Sequence, residues 1–161
     1  MFLVGCSGEQ STRTLRLAHG LDVTHPVHAG MIRMAEVLDS VSTGQMQIEI
    51  YPSGQLGSES QCLELLQLGS LSMTKVSAAV MERFAPAYSV LSLPYLFKDR
   101  ETSFEILDGP VGKSILEEGA DARLRGLTFF DAGTRCFYTK DGPVRTPADV
   151  VGQKVRVMAS P

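Results

Sequence analysis

Residues 14–18, TLRLA, alternate apolar and polar, which predicts a strand with Leu15 and Leu17 on one face. Residues 19–24 read as a loop at its C-terminal end. Pro26 then opens a helix in which Val27, Met31, Met34, Leu38 and Val41 recur at four-three-four-three spacing, until Gly44 ends it. Residues 46–51, MQIEIY, alternate again as a second strand. A turn over residues 51–57 leads to Ser58 and Gln61, a capping box. The helix it starts carries Cys62, Leu65, Leu66 and Leu68 and stops at Gly69. A third strand is expected over about residues 72–76, with Ser77, Ala78 and Ala79 leaving its C-terminal end. Strand–helix–strand in this order is the pattern of a parallel sheet covered by helices.

The second half is less regular. A bend is expected at Phe84-Ala85-Pro86, a short strand over residues 90–93, a helix from the cap Asp99 to about Leu107, and another from Gly109-Pro110 to about Leu124. Residues 127–130, LTFF, read as a strand that feeds a closing stretch of strand, turn, short helix and strand. Thr146 is the cap of that short helix, Pro147 its first residue, and Asp149 stands three residues after the cap. Gly152 closes the turn and releases residues 153–157 as a strand, with Val155 and Val157 on one face and Arg156 on the other. Arg135 lies in the preceding β-prone run.

Composition is that of an ordinary soluble domain, 43% hydrophobic and 20% charged over 161 residues, with no apolar run of transmembrane length. A net charge of −3 with the signs interspersed leaves no basic stripe for nucleic acid. The three cysteines, Cys6, Cys62 and Cys136, match no metal-ligand spacing. His19, His25 and His28 lie close in sequence, but without a carboxylate or cysteine cluster beside them a zinc site is not expected. His25, just before Pro26, is a helix-entry residue. Neither a Gly-x-Ser-x-Gly elbow nor a phosphate-binding glycine loop occurs. Cys62 reads as a buried structural thiol.

Chemistry concentrates near the end of the chain. Arginine presents a planar, permanently charged fork that donates two parallel hydrogen bonds to a carboxylate. Gly133-x-Arg135, followed by Thr146-Pro147-x-Asp149-x-x-Gly152-x-Lys154-x-Arg156-Val157, resembles the ligand-binding region of the solute-binding subunits of TRAP transporters, the tripartite ATP-independent periplasmic systems for organic acids. Tyr51-Pro52-x-Gly54-x-Leu56-Gly57, the Leu66-Gln67-x-Gly69 helix end, Phe84-x-Pro86 and Leu93-Pro94-Tyr95-Leu96-Phe97 fall in the same family's order and spacing, so the resemblance covers nearly the whole chain.

The resemblance implies an α/β, periplasmic-binding-protein type II-like two-lobe fold, with the first lobe mostly present over residues 13–132 and the second only begun at 133–161. On that implication the chain is the N-terminal half of a longer protein. The resemblance also implies that Arg156 holds the ligand carboxylate and that Arg135 supports it. Ligands of open α/β sheets bind beyond the C-terminal ends of the strands, which adds Asp22 and His25 from the first loop and Ser77 and Ala78 from the third strand's end. For Asp22 the turn reading is the preferred one. Sialate-binding members of the family carry charged residues around this segment, so on the resemblance the uncharged Ser77-Ala78-Ala79 implies a smaller, less polyhydroxylated acid.

The implied partners are a small organic acid and the small and large membrane subunits of the transporter, with no cofactor, no enzymatic step and no nucleic acid. The competing readings are an α/β enzyme acting on a small organic acid and a non-functional gene fragment. Leu3-Val4-Gly5-Cys6 resembles a lipobox, and residues 7–12 suit a polar spacer, so a periplasmic protein anchored by lipid on Cys6 is expected. Only five residues precede Cys6, too few for a signal peptide, so the true start is expected further upstream.

Overall fold

The computed structural model describes residues 12–133, 136–140 and 142–156. Strands β1 (Arg13–His19), β2 (Met46–Tyr51) and β3 (Met73–Lys75) form a parallel sheet in the order β2-β1-β3. Leu17 pairs with Ile50 and with Met73, and His19 with Lys75, so β1 is the central strand. Helix α1 (Pro26–Val41) buries Val27 and Met31 against Leu17, with Ile48, Ile50 and Met73 around them. The opposite side of β1 presents Ala18 to Cys62 and Leu71, under helix α2 (Glu59–Gln67). A strand covered on both faces needs apolar side chains on both, and residues 17 to 19 are indeed all buried.

The expected stripe of α1 holds at Val27 and Met31 and fades toward its end, where Leu38 is half-buried and Val41 is exposed. Sixteen residues of helix span roughly 24 Å, against roughly 20 Å for the six-residue β2, so the last turn has little sheet to cover. In α2 the predicted capping box is present, with Ser58 and Gln61 each satisfying the other's backbone N–H. Gly57 makes room for it: its φ is +109°, and a Cβ there would stand 2.8 Å from Oε1 of Gln61. Leu68, expected within the helix, is its exposed C-cap, and Leu63 is buried beside Cys62.

Beyond β3 the chain departs further from expectation. Helix α3 (Ala78–Met81) is followed by a 3-10 helix over Pro86–Ser92 where a strand over 90–93 was expected. Pro86 sets the helical φ at its start, and Tyr88 buries its ring with Leu63, Val80, Met81, Ala85, Ile115 and Leu124. Asp99 caps α4 (Arg100–Asp108) as expected, its Oδ1 accepting from the Thr102 N–H at 2.8 Å. Helix α5 (Pro110–Glu117) stops well before Leu124. The returning chain explains the stop: Gly126 donates its N–H to the Leu116 carbonyl at 2.9 Å, and a Cβ there would fall 2.4 Å from the Leu116 side chain.

Residues 127–130 form no strand. A groove of about 600 Å³, lined among others by Leu17, Met31, Lys75, Phe129 and Phe130, separates them from the outer edge of β3, and a ladder needs neighbours about 4.8 Å apart. Residues 136–140 and 153–156 are also without strand pairing, so the two strands expected in the closing stretch are absent among the described residues there. The short helix between them is present as a single 3-10 turn, Pro147–Val150, with the predicted Thr146–Asp149 capping box. Gly152 turns the chain at a φ of +76°, as its position predicted.

Candidate functional site

Because all three strands run parallel, their C-terminal ends, His19, Tyr51 and Lys75, share one edge of the sheet. Five polar side chains gather near that edge: His19, His28, Glu59, Lys75 and Ser77. His19 Nε2 and His28 Nδ1 are 2.9 Å apart, and both residues are buried. Lys75 lies near enough to His19 to oppose its protonation, and its Nζ stands 3.5 Å from Oε1 of Glu59. The other carboxylate oxygen of Glu59 accepts from the Ser77 hydroxyl at 2.7 Å and the Ser77 N–H at 3.1 Å. One polar chain thus runs from α1 across β1 and β3 to the start of α2 and the cap of α3.

Local sequence explains each placement. His25 is the N-cap of α1, its Nδ1 accepting from the Val27 N–H at 3.1 Å, so the helix-entry reading holds. Asp22 is a turn residue: its Oδ1 accepts from the N–H and the hydroxyl of Thr24, both at 2.8 Å, and these bonds lower its pKa. The turn after β2 is tied to this loop, since Ser53 N–H donates to the Leu21 carbonyl and Gly54 N–H to that of His19, each at 3.0 Å. Ser77 and Ala78, both half-buried, sit at the cap and first residue of α3. Asp22, His25, Ser77 and Ala78 therefore lie on loops and caps along one edge, and Ser77 is committed to Glu59.

Arg156 is exposed, and no hydrogen bond or ion pair among the described residues links it to that edge. Arg135 and Cys6 lie outside the described residues. Among those residues no group of three or more histidine, cysteine or acidic side chains is placed to hold a metal ion. Also among them, no helix is long and apolar enough to cross a membrane.

Sequence reasoning missed Glu59 and Lys75. Both carried a signal, an acid in the first turn of a helix and a lysine at the last position of an otherwise uncharged strand, but neither signal names the partner. It weighed His19 and His28 only as metal ligands, whereas they bond each other.

An open parallel sheet with a polar edge at its strand C-termini is the architecture of a small-molecule binding lobe. Comparison with known proteins narrows this. The model of bacterial extracellular solute-binding proteins, family 7 (DctP), matches residues 17–161, and the chain belongs to that family. It is 35% identical over 147 residues to the uncharacterized protein YiiZ of Salmonella typhimurium, covering 91% of this chain and 45% of that one. It is 30% identical over 150 residues to the C4-dicarboxylate-binding periplasmic protein DctP of Rhodobacter capsulatus, covering 91% and 44%. Among solved structures, a TRAP periplasmic solute-binding protein of Anaerococcus prevotii with bound D-glucuronate superposes with a TM-score of 0.88 at 35% identity, covering 93% of this chain and 49% of that one. The chain thus spans about half the length of these relatives, and its α/β fold with a small parallel sheet agrees with a partial first lobe.

Proposed function

We propose that this chain contributes to an extracytoplasmic solute-binding subunit that captures a carboxylate-bearing sugar acid or dicarboxylate for a TRAP transporter. The observation that carries the reading is the match, over nine-tenths of the chain, to a relative with D-glucuronate bound. Residues 13–132 make most of the first lobe and 133–161 begin the second. The polar edge from Asp22 and His25 to Ser77 and Ala78 is one wall of the cleft. Arg156 approaches from the other lobe with Arg135 behind it, forks onto the carboxylate, and lobe closure excludes water around the pair. The closed complex then goes to the membrane subunits, and the ligand is released unchanged.

Calorimetric titration of the complete protein with glucuronate and with succinate tests this. Truncating one member of a desolvated charge pair costs roughly 2–5 kcal/mol. Arg156→Ala is therefore expected to weaken binding by more than about tenfold. Arg156→Lys loses affinity as well, because a point charge cannot form the fork. A lysine variant that binds like the parent sinks the bidentate assignment, and absence of binding to any carboxylate sinks the reading. Export with a lipid on Cys6 is the companion proposal. Cys6→Ser abolishes lipidation in cells, and recovery of the native protein only from the cytoplasm refutes it.

A further inference from the structure

The His19–His28 pair performs none of the roles assigned above, yet its hydrogen bonds fix a definite protonation pattern. Nδ1 of His19 accepts from the Leu21 N–H at 3.1 Å and so carries no proton. The proton of neutral His19 is then on Nε2, which donates to Nδ1 of His28 at 2.9 Å. His19 thereby joins α1, through His28, to the loop over residues 20–24 that follows β1.

We infer that His19 and His28 are positioning residues that hold the loop over residues 20–24 in its binding geometry only while His19 is neutral, so that solute capture weakens on acidification. The inference rests on the proposed function for its link to binding and on the imidazole geometry for the latch itself. A proton added to His19 can go only to Nδ1, where it faces the Leu21 N–H; donor then meets donor and that bond is lost. The loop keeps Ser53 N–H on the Leu21 carbonyl and the Asp22–Thr24 turn, so it loosens at its start and the strand stays paired.

The groups facing His19 set the direction. His28 comes from α1, Lys75 from β3 and His25 from the helix cap, and all three oppose a positive charge there. Asp22 in the loop acts electrostatically on His28, and Glu59 of α2 reaches the cluster through Lys75. Burial, the largest effect, also holds the pKa of His19 below its ordinary 6.5. A depressed histidine pKa leaves the latch complete above about 6.5 and opens it as the pH falls through the lowered value.

The test is amide hydrogen exchange of the ligand-free complete protein at about pH 7.5 and about pH 5, corrected for intrinsic rates, with ring-nitrogen shifts assigning the tautomer of His19. Protection of the Leu21 amide is expected to fall roughly tenfold on acidification, the effect of one lost hydrogen bond to a part-buried donor. His19→Asn places Oδ1 where Nδ1 stood and cannot titrate, so it keeps Leu21 protected at both values. His28→Asn preserves the acceptor for Nε2 and leaves the parent's pH response in place. The affinity for glucuronate follows the same pattern, falling with pH in the parent and far less in His19→Asn.

Equal Leu21 protection at the two pH values overturns the inference, as does an Nδ1-protonated His19 at neutral pH or an unchanged pH slope in His19→Asn. If that variant does not fold, the parent's exchange and tautomer decide alone. If no carboxylate binds at either pH, the proposed function fails and the exchange result still decides the latch.

Discussion

Glu59 can be challenged most directly, because a single carboxylate holds both Lys75 and Ser77. The Lys75 and Glu59 side chains are 15% and 26% exposed, so the pair lies between two limits. Exposed pairs contribute about 0–1 kcal/mol, and breaking a fully buried one costs roughly 3–5 kcal/mol. At 3.5 Å, with partial burial, a coupling of about 1–2 kcal/mol is expected. Glu59→Gln also weakens two hydrogen bonds to Ser77, and bonds to a charged acceptor contribute about 1.5–3 kcal/mol each. It should therefore destabilise more than Lys75→Met, which leaves those bonds in place. Urea unfolding of the complete protein, its two single variants and the double variant closes the cycle. The double variant should lose about 1–2 kcal/mol less than the sum of the singles. Additivity within about 0.5 kcal/mol would show that the two side chains ignore each other. The polar edge would then be a set of neighbours without energetic connection.

Two further outcomes follow from burial. Met31 is fully buried between α1 and the sheet, so Met31→Ala is expected to destabilise the complete protein by about 2–4 kcal/mol in the same assay; a loss under about 1 kcal/mol would mean the site collapses around the gap. Burial pushes the Cys62 thiol up while Cys136 is exposed. Alkylation at neutral pH, mapped by mass spectrometry, should modify Cys62 on the order of a hundredfold more slowly than Cys136, and similar rates would place Cys62 outside the core.

The first half of this fold was legible because its signals are local. Alternation gave β1 and β2, Pro26 and Gly44 bounded α1, and Ser58 with Gln61 announced α2 through bonds spanning three residues. The same reasoning misread residues 90–93 and 127–130, where β-prone side chains met no partner strand. Pairing is a property of two segments, and LTFF stands across a groove from β3. Leu68 shows a smaller version of the limit: it was read as part of the helix, whose last residue is Gln67.

The site divides along the same line. Asp22 and His25 announced themselves because turn and cap chemistry acts over two residues. Glu59–Ser77 joins groups 18 residues apart and Arg16–Ser70 groups 54 apart, and only the parallel register brings such pairs together. That register has a functional consequence. The turn after β2 is tied to the loop after β1 by Ser53 and Gly54, and the cap of α3 is tied to α2 and β3 by Glu59 and Lys75. A wall already ordered loses little conformational entropy on binding. If Arg156 arrives from a separate lobe, most of the ordering cost of capture falls on closure, and variants of the prearranged wall should change how fast the ligand leaves more than how fast it enters.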